Sequence, residues 1–200
     1  MAHFRQALES TQKKFYLVRY GDDIIGFLRF DPEKSGHLSA ASFNIRPDLR
    51  GAKIGETILK SALDLEAKNR IVHATAYPKL PITSRYIGEF GFVVTGILEN
   101  FQETGESFFQ MLRDDKVNPS YRFLNQSFSQ IARSYETKSP DLAQSGIIIK
   151  KFDLTTEYDQ FLTESRILLR TGQYVMTAFA RSRQEPQTAY LVFEPKKTTI

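Results

Sequence analysis

The feature that most constrains the fold is an abrupt change of apolar spacing around Pro47. Leu38–Ile45 is predicted to be a strand, and Pro47 ends it because proline lacks an amide N–H and restricts the residue before it. From Ile54 onward the apolar residues recur every three or four positions, which predicts an amphipathic helix. The sequence therefore predicts a strand, a short loop and a helix in direct succession.

The loop between this strand and helix is basic and rich in glycine. Glycine allows unusual dihedral angles and close approach of a ligand to the backbone. The first turn of a helix has N–H groups without intrahelical partners, and its dipole favours an anion at that end. Such a loop suits a pyrophosphate, although turns also contain Arg, Gly and Pro for purely structural reasons. The positive charges and glycines are Arg46, Arg50, Lys53, Gly51 and Gly55.

Two segments resemble motifs of the GNAT acyltransferase superfamily. Residues 45–55, IRPDLRGAKIG, resemble the signature V-x-P-x-x-R-G-x-G-I-G, and residues 89–97, EFGFVVTGI, resemble the end of the family's second motif. In the pyrophosphate motif [QR]-x-x-G-x-[GA], Arg50 and Gly55 fill the first and last places, whereas Lys53 replaces the middle glycine. The two motifs occur in the family's order, and the resemblance covers about residues 15–113.

The resemblance implies an α/β fold with a mixed, twisted, mostly antiparallel sheet, flanked by helices, that splays at its fourth strand to admit acyl-coenzyme A. It implies that the main chain of Phe43 and Ile45 positions the thioester. The pyrophosphate would be held by the loop and the first helical turn, namely by Arg50, Gly51, Ala52, Lys53, Ile54 and Gly55. The implied reaction is direct transfer of an acetyl or short acyl group from acetyl-CoA, or another acyl-CoA, to an amine on a small molecule or a protein.

The catalytic groups are less well defined by the sequence. The family often has a tyrosine acid four residues before the glycine of its second motif, where this sequence has Ile87. Tyr86 and Tyr77 are therefore the candidate acids, and Glu99 and His73 are the candidate bases. Each has a structural alternative, because half-buried tyrosines, satisfied histidines and solvated glutamates are common. A non-catalytic acyl-CoA-binding or regulatory module that has lost the acid is thus an alternative function, and a purely structural protein is another.

Composition excludes several other classes of protein. The absence of cysteine excludes disulfides, thiolate metal sites and a cysteine nucleophile. The 27 Lys and Arg residues against 23 Asp and Glu residues form no dense basic stripe, so no nucleic-acid partner is expected. No apolar run has the length of a membrane helix or signal peptide, and we expect a cytoplasmic protein without a membrane partner. The three histidines have no ligand spacing, and no metal is expected.

The sequence predicts two domains. Residues 1–113, which begin with a predicted short helix, form the GNAT-like acyl-CoA-binding domain. A polar linker leads to a C-terminal α+β segment, residues 119–200, with a helix predicted from Tyr121 to Tyr135 and then a strand, a helix and a hairpin. This order is similar to the beginning of another such domain. The segment is therefore expected either to complete the sheet or to form a degenerate second half that contacts a second copy of the chain in a homodimer.

Overall fold

The computed structural model describes residues 13–49, 53–99, 105–138, 140–182 and 184–197. Within these ranges there are nine strands and five α-helices. The strands are β1 (Lys14–Tyr20), β2 (Asp23–Pro32), β3 (Leu38–Ile45), β4 (Val72–Ala76), β5 (Val93–Leu98), β6 (Phe108–Arg113), β7 (Ile148–Asp153), β8 (Tyr174–Arg181) and β9 (Thr188–Pro195). The helices are α1 (Ile54–Ala67), α2 (Pro81–Gly88), α3 (Phe128–Thr137), α4 (Pro140–Gln144) and α5 (Tyr158–Arg170). The helix predicted for the first dozen residues lies outside the described ranges.

The chain divides into two compact units, residues 1–74 and residues 75–200. The predicted domain division at residues 113–119 follows the extent of the family resemblance. This division stays a prediction. None of the described helices combines the length and the apolar character that crossing a bilayer requires.

The first unit contains β1, β2, β3 and the first three residues of β4 in that order, with antiparallel pairing in β1–β2 and β2–β3 and parallel pairing in β3–β4. Helix α1 connects β3 to β4 and buries one face, as the spacing of its apolar residues predicts, through Leu59, Ala62, Leu63 and Ala67. This part of the structure confirms the predicted mixed, mostly antiparallel sheet, and β3 has the predicted bounds.

Strand β3 pairs unequally with its two neighbours. Its ladder with β2 runs from Leu38, opposite Pro32, to Ile45, opposite Gly26. Its ladder with β4 contains only two pairs, Leu38 with Val72 and Ser39 with His73. The two parallel strands therefore meet at the start of β3 and separate before its end.

A buried carboxylate attaches the far end of α1 to β1. Glu66 is 5% exposed and accepts hydrogen bonds from Lys14 Nζ, at 3.0 and 3.1 Å, and from the Tyr16 hydroxyl. Burial, followed by the hydrogen bond to Glu66, raises the pKa of Tyr16 to about 12. The phenol therefore keeps its proton and donates it in the hydrogen bond to Glu66. The buried negative charge of Glu66 is tolerated because Lys14 and Tyr16 both donate hydrogen bonds to it.

The second unit is an antiparallel sheet in the order β6-β5-β8-β9-β7. Strand β8 pairs with β5 at Met176 and Val94, so the C-terminal segment extends the sheet that the second family motif begins. Helix α5 packs against this sheet through Phe161, whose ring is 6.0 Å from Phe109 and 5.7 Å from Phe179. The C-terminal segment thus extends this sheet, and the choice between its two expected roles stays a prediction.

The helix predicted from Tyr121 to Tyr135 is shorter than expected and begins later. Helix α3 starts at Phe128, after Ser127, whose side chain and that of Gln130 form a capping box. Asn125 has a φ of 67°, which interrupts any helix there. The residues before it form turns that are attached to Glu194, since this buried carboxylate accepts the backbone N–H groups of residues 122 and 123 at 2.9 and 2.8 Å.

Candidate functional site

The strand, loop and helix predicted around Pro47 are present. Strand β3 ends at Ile45, Pro47–Leu49 forms one 3₁₀ turn, and α1 begins at Ile54. Arg46 stabilises the loop, because its guanidinium lies 2.8 Å from Asp48 and 3.8 Å from Asp23, and the hydrogen bond to Asp48 raises the pKa of the guanidinium. The charge of Arg46 is thus already engaged by two carboxylates.

Lys53 forms the N-cap of α1 in a left-handed conformation, with φ of 59° and ψ of −1°. This is the position at which the family motif has glycine, and it adopts the backbone conformation that glycine adopts most readily. The Lys53 side chain makes no capping hydrogen bond to the helix, and it forms no ion pair with any described residue. The N-terminal end of α1 therefore presents a helix dipole next to an exposed ammonium group.

Gly55 allows the first turn of α1 to lie against the end of β3. A Cβ atom at this glycine would lie 3.2 Å from Phe43 Cζ and 3.3 Å from Ile45 Cγ1. The structure therefore brings together Phe43, Ile45 and the first helical turn with Lys53 and Ile54. Arg50, Gly51 and Ala52 lie outside the described residues, and the cofactor-binding roles of this whole set stay predictions.

The candidate acid Tyr86 lies on α2 in an aromatic environment. Its ring packs edge-on against Phe90 and Phe92, with centroids 5.6 and 5.5 Å away. Burial raises the pKa of its phenol, so the group keeps its proton firmly. Ile87, at the family's tyrosine position, is completely buried and contributes to the core.

The other candidate acid, Tyr77, follows β4 and belongs to a cluster that the sequence analysis did not identify. Its hydroxyl donates a hydrogen bond of 2.9 Å to Glu106 Oε2. Lys79 Nζ lies 4.5 Å from the centroid of the Tyr158 ring and 5.8 Å from that of Tyr77. Burial raises the pKa of Tyr158, whose hydroxyl has no hydrogen-bond partner among the described residues. Glu106 lies 29 residues from Tyr77, in the hairpin loop before β6, and no local motif connects them.

Glu99, the candidate base, is engaged by two cations from α5. Its Oε1 atom lies 2.7 Å from Arg166 Nε and 3.4 Å from Arg170 Nη2. Two guanidinium groups compete with any amine for this carboxylate. The contacts favour a structural role for Glu99, namely attachment of the end of β5 to α5.

An open groove of about 1120 Å³ lies between α2, α3 and β8. Its lining carries both signs of charge, from Arg85, Glu89, Arg133 and Glu136. None of the predicted catalytic residues that the structure describes lines this groove.

A family model for the acetyltransferase (GNAT) domain matches residues 1–114, more than half of the chain. The chain belongs to the GNAT acetyltransferase family. The predicted resemblance, and the enzyme class that it implies, an N-acetyltransferase, are confirmed at the level of the family. No curated protein matches the chain.

Several solved acetyltransferase structures are similar to part of this chain. An acetyltransferase from Elizabethkingia anophelis with acetyl-CoA bound is 20% identical, covers 56% of this chain and 82% of its own, and has a TM-score of 0.48. An aminoglycoside 6′-N-acetyltransferase in complex with coenzyme A is 11% identical over 56% and 77%, with a TM-score of 0.42. A spermidine N-acetyltransferase chimera that includes Vibrio cholerae sequence is 14% identical over 57% and 76%, with a TM-score of 0.47.

The conformation of Lys53 leads to a prediction about stability. A non-glycine residue in the left-handed region costs about 1–2 kcal/mol. Lys53→Gly relieves this cost, whereas Lys53→Ala retains it, and both substitutions remove the same charge. We expect the glycine variant to be more stable than the alanine variant by about 1 kcal/mol in urea denaturation. An alanine variant of equal or greater stability would contradict the assigned backbone conformation.

Proposed function

We propose that this GNAT chain transfers an acetyl or short acyl group from acyl-CoA directly to an amine. The observation that carries the proposal is the juxtaposition of the N-terminal end of α1, which has no side-chain cap, with the end of β3 that has separated from β4. A helix N-terminus with an added ammonium group suits a pyrophosphate. The end of β3 that extends beyond its two pairs with β4 suits the extended, amide-containing arm of coenzyme A.

In this proposal the backbone N–H groups from Lys53 to Gly55 bind the pyrophosphate, and the Lys53 ammonium group adds charge. Arg50, Gly51 and Ala52 complete the loop, as the family motif implies. The main chain of Phe43 and Ile45 positions the thioester end of the co-substrate. Gly55 supports the arrangement, because its lack of a Cβ atom lets the helix approach these two side chains.

The transfer step requires a base for the amine and an acid for the departing thiolate. The amine nitrogen attacks the thioester carbon, the tetrahedral intermediate loses a proton, and the carbon–sulfur bond breaks. We assign proton transfer to the pair formed by Tyr77 and Glu106. The 2.9 Å hydrogen bond lets a proton pass from Glu106 to Tyr77, so that this pair can accept one proton and donate another.

Tyr86 is the weaker candidate for the acid. It has no carboxylate partner among the residues that the structure describes, and its phenol is enclosed by two phenylalanine rings, which raise its pKa by excluding water. A group whose pKa is raised by burial alone is a poorer proton donor near neutral pH. The aromatic contacts are sufficient to explain its position as packing.

Cofactor binding is tested by charge reversal at either end of α1. Lys53→Glu places a negative charge beside the proposed pyrophosphate site, whereas Lys68→Glu makes the same change of charge at the other end of the helix, about 22 Å away. We expect isothermal titration with acetyl-CoA to show at least about tenfold weaker binding for Lys53→Glu and little change for Lys68→Glu. Equal effects of the two substitutions, or none, would place the pyrophosphate elsewhere.

Catalysis is tested by a matched pair of tyrosine substitutions. The assay measures release of the free CoA thiol with a panel of amines that includes a polyamine, an aminoglycoside and a peptide with a free N-terminus. We expect Tyr77→Phe to lower kcat by about 10²- to 10⁴-fold and Tyr86→Phe to change it little, because among the described residues Tyr77 has a carboxylate partner and Tyr86 has none. The reverse ranking would make Tyr86 the acid.

The second candidate function is a non-catalytic acyl-CoA-binding module. Ile87 at the family's tyrosine position favours this alternative, since the usual acid is absent there. Tight acetyl-CoA binding without thiol release from the wild-type chain with any amine in the panel would support the binding module and contradict the enzyme.

A further inference from the structure

Three potential metal ligands share one face at the beginning of β3. Glu33 and His37 are opposite each other in the turn between β2 and β3, where the Glu33 N–H donates to the His37 carbonyl at 2.9 Å. His37 precedes Ser39 by two residues and lies on the same face of the strand. His73 on β4 is directly opposite Ser39. The strand register therefore places the side chains of Glu33, His37 and His73 together.

The side-chain contacts agree with this placement. The imidazole rings of His37 and His73 are 4.9 Å apart between centroids, and His73 Nδ1 lies 3.4 Å from Glu33 Oε2. One potential ligand atom from each of the three residues lies within 4.8 Å of the other two. His37 Nδ1 and His73 Nε2 are buried without a hydrogen-bond partner among the described residues. Buried polar nitrogens without a partner are unusual in proteins.

We propose that Glu33, His37 and His73 bind a divalent transition-metal ion of the zinc type. Imidazole nitrogen with a carboxylate oxygen is a ligand set suited to zinc, nickel or copper rather than to magnesium. Ligand bonds of about 2.1 Å place tetrahedral ligand atoms about 3.4 Å apart. The Glu33 side chain is 35% exposed and lies in a turn, so its rotation closes the remaining distance.

The position of the cluster indicates a structural ion. Strand β3 contains 8 residues and spans about 23 Å, so the cluster lies far from the acyl-CoA site proposed at the other end. It is next to the only two residue pairs in the ladder between β3 and β4. A bound ion therefore connects the β2–β3 turn to β4 where the parallel strands meet. The inference departs from the sequence-based expectation of no metal and is independent of the proposed transferase activity.

The test is isothermal titration of the full chain, without an affinity tag and after treatment with EDTA, with zinc chloride alone. We expect one ion per chain, and no comparable binding of magnesium. His37→Gln and His73→Gln should each weaken zinc binding by at least tenfold, since even loss of a partner of a metal ligand costs 10- to 100-fold. His3→Gln, which changes the remaining histidine of the sequence, is the matched control and should retain wild-type affinity.

Absence of zinc binding by the wild-type chain would overturn the proposal. Unchanged affinity in His37→Gln or His73→Gln, or an equal loss in His3→Gln, would do the same. Because a variant can fail to fold, the histidine ring signals of the wild-type chain are also followed by NMR during zinc addition. Two of the three histidines should shift with saturation at one equivalent, and an unchanged spectrum would contradict the site.

Discussion

The unequal pairing of β3 is the constraint on which the first unit depends. The strand is held by β2 along its length and by β4 only at its first two residues. Because β4 separates from β3 after two residue pairs, the later N–H and C=O groups on that side of β3 need other hydrogen-bond partners. One end of β3 is therefore closed and carries the Glu33, His37 and His73 cluster, whereas the other end is open and leads directly to α1.

Helix α1 makes that open end suitable for an anion. Its N-terminus begins at an exposed lysine in a left-handed conformation, and its C-terminal end is attached to β1 through buried Glu66. Arg46 stabilises the loop rather than supplying an unpaired positive charge, because its guanidinium already pairs with Asp48 and Asp23. The site proposed for acyl-CoA consequently depends on backbone N–H groups and on Lys53 more than on the arginine that precedes the loop.

Patterns of neighbouring residues in the sequence predicted the elements whose bounds depend on those neighbours. The position of Pro47 and the change of apolar spacing gave β3 its bounds and α1 its start, and the family motifs gave the sheet type. The helix predicted before Phe128 is wrong because the capping box of Ser127 and Gln130 starts the helix there, whereas the prediction followed the apolar spacing from Tyr121. The Tyr77–Glu106 and His37–His73 contacts were missed because each joins residues far apart in sequence.

The proposed function depends on binding of the pyrophosphate of coenzyme A by the first N–H groups of α1. The most direct measurement is a ¹H–¹⁵N NMR titration of the full chain with coenzyme A. We expect the amide signals of Lys53, Ile54 and Gly55 to shift with saturation, because hydrogen bonds to phosphate change their environment. Binding of coenzyme A that leaves these three signals unchanged would contradict the claim, as would the absence of binding.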